Sequence, residues 1–160
     1  MEIQVLNRVT QYIKKINKSL IFNNLENEHI SDIIEFKSTN IIETIINKYN
    51  NNDKYDLILD NSKIDKLFDM YKIYDYIFKL LNINGIFCSI ISDNSLYNIK
   101  PDIYKHYLSN INGIELLALY KVDSNKSWYD AINNTKDNNF DINSDTENYT
   151  IFLLKKIKMK

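Results

Sequence analysis

Glycine, proline, cysteine and arginine are almost missing from this chain of 160 residues, which holds two, one, one and one of them respectively. The lone cysteine, Cys88, excludes a disulfide framework and a cysteine-based metal centre, and fits a reducing, cytoplasmic setting. With Arg8 as the only arginine, the two-pronged grips on phosphate or guanine that favour a guanidinium are nearly excluded. Charge of one sign is lacking too. Twenty basic and 21 acidic residues leave a formal net charge of -1, so no electrostatic footprint for nucleic acid or an anionic membrane is expected. No apolar run approaches the roughly 20 residues of a spanning helix, and no secretory leader is recognisable.

What fills the chain is Asn, Ile, Lys and Tyr. All four have AT-rich codons, so the composition reports an AT-rich genome more than a function, and the sequons are read as products of an Asn-rich chain. The length suits one domain over 1–160 with a sizeable core.

At the amino terminus Ile3, Leu6, Val9, Ile13, Ile16 and Leu20 alternate spacings of three and four, which predicts an amphipathic helix over 1–20. Such a stripe either packs on its own domain or offers a docking face to a partner or a membrane surface. Leu20-Ile21-Phe22 and Ile33 to Phe36 read as short strands. Asn40 with Glu43 forms a capping box that opens a helix carrying Ile41, Ile42, Ile45, Ile46 and Tyr49 on one face. The centre of the chain is a strand at Leu57-Ile58-Leu59, a helix with Ile64, Leu67, Phe68, Tyr71, Tyr74, Ile77, Phe78 and Leu81 on one broad face, and a strand from Ile86 to Ile91. A helix between two buried-type strands makes a parallel βαβ unit. Asn84-Gly85 is expected to end the helix, with glycine in the left-handed cap conformation. Asn110 to Ile114 repeats Asn82 to Ile86 letter for letter and reads as the same helix-to-strand turn used a second time. Pro101 fits the first turn of a further helix. Strands follow at Ile114 to Val122 and Tyr149 to Lys155, separated by a long polar loop over 123–148, and the Lys-rich tail is expected in solvent.

This order of elements resembles the carboxyl-terminal half of class I, Rossmann-like, S-adenosylmethionine-dependent methyltransferases. The likeness runs from about Ile33 to Lys155. It rests on Tyr55-Asp-Leu-Ile-Leu-Asp60, on the Leu80-Leu-Asn-Ile-Asn-Gly-Ile-Phe87 turn and strand, and on the closing pair of strands. It implies a three-layer α/β domain of five or six strands, mostly parallel, with the final strand antiparallel beside Ile114 to Val122. It also implies S-adenosylmethionine as cofactor. The departure is in the cofactor half: no glycine precedes Gly85, although such folds use glycine to bring backbone close to the ligand. If Leu20 to Phe22 is the cofactor strand, Asn23 and Asn24 stand in its loop.

Polar groups gather where open α/β sheets put their ligands, at the carboxyl ends of strands. Asp60 and Asn61 close one strand; Ser92, Asp93 and Asn94 close the next. Carboxylates and carbonyl oxygens suit a divalent metal such as Mg²⁺ or Ca²⁺. Asp60, Lys63, Asp93 and Asn94 also resemble the pattern of metal-dependent catechol-type O-methyltransferases, which implies Asp60, Asp93 and Asn94 as ligands and Lys63 as base. The plainer reading is that Asp and Asn cap the turns after strands. His29 and His106 assemble no triad, and His106 is expected on a helix surface. Trp128 and Tyr129 either stack a substrate ring or pin the long loop. Three functions remain open: a non-catalytic methyltransferase-like binding or scaffold subunit with a protein partner or a second copy of itself; an active, metal-assisted methyltransferase; and an interaction protein that uses its N-terminal helix.

Overall fold

The computed structural model describes residues 2–13, 15–23, 33–35, 38–61, 70–92, 106–122, 128–133, 135–137 and 149–158. Among them three helices and eight strands follow in the order α1 (Glu2–Val9), β1 (Ser19–Asn23), β2 (Ile33–Glu35), α2 (Ser38–Asn50), β3 (Tyr55–Asn61), α3 (Met70–Leu80), β4 (Leu81–Ser92), β5 (Ile114–Val122), β6 (Trp128–Asp130), β7 (Thr135–Asp137) and β8 (Tyr149–Lys156). One sheet joins the strands in the order β2-β1-β3-β4-β8-β5-β6-β7. Two clusters of buried side chains lie on its opposite faces. One holds Ile45 of α2 with Ile73, Tyr74, Ile77 and Phe78 of α3; the other holds Val5 and Val9 of α1. The architecture is therefore the expected α/β sandwich of three layers.

The sheet is parallel only in part. β2-β1-β3-β4 are parallel neighbours, whereas β4-β8, β8-β5, β5-β6 and β6-β7 are antiparallel. The closing strand lies beside β5, as the sequence leads one to expect, and also beside β4. Two strands beyond the expected number come from the 123–148 segment, where β6 and β7 form an antiparallel pair that extends the sheet from β5. Trp128 is what fixes them there. Its buried ring meets Tyr120 edge-on at 5.2 Å, and Arg8 lies over both rings, 4.1 Å from the Trp128 centroid and 4.7 Å from that of Tyr120. A cation over aromatic faces contributes about 0.5–2 kcal/mol, more as it is desolvated.

The apolar stripe of the first 20 residues divides between two structures. α1 stops at Val9, where Thr10 Oγ1 donates to the Asn7 carbonyl and the Gln11 and Tyr12 amides close a tight turn onto Arg8 and Val9. Asp56 then claims the following segment. Its Oδ2 accepts from the Asn17 and Lys18 amides at 2.9 and 3.2 Å, while the Lys18 carbonyl accepts from the Asp56 and Leu57 amides. Periodicity could not register that competition, and Leu20 becomes a strand residue. Burial pushes the Asp56 carboxyl up, but these amides and the Asn82 side chain outweigh it and hold the group below its ordinary value. Asn40 lies inside α2, which starts at Ser38, and so does not cap it. Pro101 falls outside the described residues.

α3 passes into β4 without a connecting loop, and the junction needs three devices. Tyr55 pairs with Leu81 and Leu57 with Ile86, so β4 accommodates extra residues as a bulge over 82–85. Asn84, not Gly85, takes the left-handed conformation, with φ 67°; asparagine is the residue after glycine that best tolerates it. Gly85 is required for space: a Cβ there would lie 2.8 Å from the Asn82 carbonyl oxygen and 3.1 Å from that of Tyr55. In the second copy of the pentapeptide, the left-handed residue is Gly113, with φ 81°. Identical letters thus form two different turns, because Asn82 is tied to Asp56 by a 3.0 Å hydrogen bond and the first copy lies within a strand.

Lys156, expected in a solvated tail, is buried at the same junction. Its Nζ donates to the Phe78 and Leu81 carbonyls at 3.0 and 2.9 Å, serving one carbonyl in the last turn of α3 and the first of β4. Beside it Tyr74, Phe78, Phe87 and Phe152 form mostly edge-to-face contacts at 5.4–6.3 Å, each worth about 0.5–1.5 kcal/mol beyond the area buried.

Two substitutions test this junction. Lys156→Met keeps the length of the side chain but leaves the Phe78 and Leu81 carbonyls without their Lys156 donor, and should lower unfolding free energy by about 1–3 kcal/mol in urea titrations. Gly85→Ala should lose about 1–3 kcal/mol through overpacking against the β3 and β4 backbone. Wild-type urea midpoints for either variant would contradict this account of the α3–β4 joint.

Candidate functional site

The parallel half of the sheet brings its carboxyl ends to one edge. Along the chain β2 is laid down on one side of β1, and β3 on the other. A reversal of this kind leaves a crevice above the strands where it occurs, and ligands of open α/β sheets bind there. The reversal centres on the end of β1. Asn23 stands in register with Glu35 of β2 on one side and with Asn61 of β3 on the other. One row further in, Asp60 stands between Phe22 and Ser89.

Asp60 lies beneath this edge. It is 1% exposed, and Ser89 Oγ, fully buried on β4, donates to its Oδ2 at 3.1 Å. Strand alternation puts both on the α3 side of the sheet, in step with Ile58 and Phe87. The carboxylate therefore has a hydroxyl donor supplied within the sheet. Cys88 is on the other side with Leu57 and Leu59. Burial, and secondarily the charge of Asp60, pushes its thiol far up, so it stays protonated and inert. Asn61 is half-buried at the last position of β3, in step with Leu57 and Leu59.

Of the other residues singled out from sequence, Asn24, His29, Lys63, Asp93 and Asn94 lie outside the described residues. The strand leading to Asp93 passes Asp60 at Ser89 and continues to Ser92. At about 3.3 Å per residue this carries the end of β4 roughly 10 Å beyond the Asp60 row. Among the described residues, no group of three or more His, Cys, Asp and Glu gathers in a way that could hold a metal ion. His106 is exposed on the helical residues 106–109, and its carbonyl accepts from the Asn110 side chain. Trp128 is buried against Tyr120 and Arg8 and acts as an anchor. No described helix is long and apolar enough to cross a membrane.

Glu35 is the position that sequence reasoning passed over. An acidic residue closing an apolar strand is a signal only when that strand is known to flank the chain reversal, and strand order is not written in a three-residue run. In dinucleotide-binding sheets, an acidic residue beyond the first βα turn receives the ribose hydroxyl.

No protein-family model matches the chain, and no curated protein matches it. Solved structures do. A putative SAM-dependent methyltransferase from Streptococcus mutans aligns with 95% of this chain at TM-score 0.57 and 12% identity, over 48% of its own length. Phosphoethanolamine N-methyltransferase 2 of Haemonchus contortus, in complex with S-adenosyl-L-methionine, aligns with 97% at TM-score 0.54 and 9% identity, over 37% of its length. An O-methyltransferase from Bacillus cereus in complex with SAH aligns with 97% at TM-score 0.54 and 8% identity, over 79% of its length. The chain thus spans less than half the length of the first two. At these identities the likeness concerns architecture, and the architecture is that of the class I S-adenosylmethionine-dependent methyltransferases.

Proposed function

We propose that this chain is a methyltransferase-like domain that works by binding, as a non-catalytic subunit, and does not transfer methyl groups. The observation that carries this reading is the exit from β1. Every residue from Asn23 to the start of β2 bears a side chain, at the position where a Rossmann-like sheet needs bare backbone against its ligand. The Ser89–Asp60 hydrogen bond supports it, since the carboxylate beneath the edge already serves the sheet. Its partner is a protein or a second copy of the chain. Ile83, in the β4 bulge, and Ile157, just past β8, are about half exposed (48% and 49%) and supply apolar surface for one. The interaction-helix alternative has less behind it, because Val5 and Val9 already bury the apolar side of α1 against the sheet.

One observation favours a second reading, an active enzyme: the row Glu35–Asn23–Asn61 at the chain reversal. There S-adenosylmethionine would lie across the ends of β1 and β3, with Glu35 as acceptor for ribose hydroxyls. Lys63 would act as base, and Asp60, Asp93 and Asn94 would take a divalent metal.

Isothermal titration calorimetry with S-adenosylmethionine and S-adenosylhomocysteine, with and without Mg²⁺, separates the two. No heat of binding is expected. Micromolar binding that Glu35→Ala weakens, with methyl transfer lost in EDTA and in Asp93→Ala, would replace the first reading with the second. For self-association, light scattering should give a dimer mass that falls to that of the monomer in Ile83→Lys or Ile157→Lys. A monomer at every concentration would leave only a different protein as partner.

A further inference from the structure

The pentapeptide Asn-Ile-Asn-Gly-Ile occurs twice, and both copies place an exposed asparagine directly before a glycine. That dipeptide is chemically reactive. The glycine amide nitrogen attacks the asparagine Cγ, an N–Cγ bond forms, the Cγ–Nδ2 bond breaks and ammonia leaves. Water then opens the five-membered imide at either carbonyl, giving aspartate or isoaspartate. No oxidant, metal or enzyme is required. Glycine permits the attack because no Cβ shields its nitrogen and its dihedral angles turn freely. What decides the rate in a folded chain is whether the backbone around the pair can rotate to bring nitrogen to carbon.

The two sites differ in this respect. Asn84 lies inside β4, between Leu81, paired with Tyr55, and Ile86, paired with Leu57. Gly85 is wedged against backbone on two strands, with a would-be Cβ only 2.8 Å from the Asn82 oxygen and 3.1 Å from the Tyr55 oxygen, and Asn82 is bound in turn to Asp56. Closing the imide at Asn84 requires this part of the sheet to open. Asn112 lies in the turn between the 106–109 helical stretch and β5, ahead of the first β5–β8 pair, Ile114 with Lys156. Gly113, with φ 81°, lies nearest Lys158: a would-be Cβ would lie 3.2 Å from its side-chain Cγ and 3.3 Å from its carbonyl oxygen, looser than the 2.8 Å at Gly85. The turn is closed by a 3.2 Å hydrogen bond from the Ile114 amide to the Ile111 carbonyl.

We propose that Asn112 is a site of spontaneous deamidation in the folded protein, and that Asn84, within the same five letters, is protected by its strand. Modification at Asn112 adds a negative charge near Lys158. In the isoaspartate product it also inserts a methylene into the backbone just before Gly113, whose carbonyl accepts from the Ile157 amide at 2.9 Å. The end of β8 would loosen next to Lys156.

The repeated pentapeptide supplies its own control, because the local sequence is the same at both sites. The full chain is incubated at mildly alkaline pH at 37 °C, folded and in denaturant. Tryptic digestion separates the sites, and mass spectrometry follows the one-dalton gain at each. Unfolded, the two should react at similar rates. Folded, Asn112 should react about tenfold or more faster than Asn84, since the β4 site reacts only through local opening. Equal folded rates, a faster Asn84, or an unmodified Asn112 in folded protein whose denatured form reacts would each overturn the proposal.

Discussion

The rest of the molecule depends on how a helix is joined to a strand without a loop. α3 ends at Leu80 and β4 starts at Leu81. The last turn of a helix presents carbonyls that need donors, and the first residues of a strand must already be in register with a neighbour. Here the two demands fall on adjacent residues. The Lys156 ammonium reaches across from the neighbouring β8 on the α3 face of the sheet, and Asp56 reaches up from β3 to hold Asn82 in the bulge. Both donors and acceptors come from strands that flank β4 directly, so the joint also locks β3, β4 and β8 together.

That joint has a bearing on the opposite edge. Register in a parallel pair is set once and carried to the far end, so the bulge near Tyr55 determines which β4 residue stands beside Asp60. A bulge shorter by one residue would present a residue of the other face. With the observed register the neighbour is Ser89, and a carboxylate meets a hydroxyl in a buried position where an unpaired charge would cost several kcal/mol. The candidate site is in this sense the downstream product of packing at the amino-terminal edge.

The parallel half was legible in the sequence because its strands are buried on both faces and read as continuous apolar runs: Leu57-Ile58-Leu59 and Ile86 to Ile91 declare themselves, although the first extends to Tyr55–Asn61 in the structure. β5 was found to the residue. What was not legible shares one cause, competition from residues distant in sequence. The N-terminal stripe looked like one helix until Asp56, 39 residues beyond Asn17, took its amides. The twin pentapeptides looked like one turn until the strand around the first made asparagine, and not glycine, adopt the left-handed conformation. Lys156 looked like tail because nothing local marks a lysine as buried, and β6 and β7 were hidden because three-residue strands carry no periodicity. At the site, Asp60 and Asn61 were found as strand ends, whereas Glu35 required the strand order.

The single arginine has its own consequence. Arg8 lies over the Tyr120 and Trp128 rings, holding α1 to the β5–β6 corner. Recognition of a phosphate or carboxylate by a planar, forked cation is thus engaged in architecture, and the chain has no second guanidinium to offer. Any anionic group this protein meets is received by lysine ammonium groups, which attract charge without fixing its orientation, or by amides, which orient without charge. A grip that fixes the orientation of an anion would therefore have to come from backbone or side-chain amides, one hydrogen bond at a time.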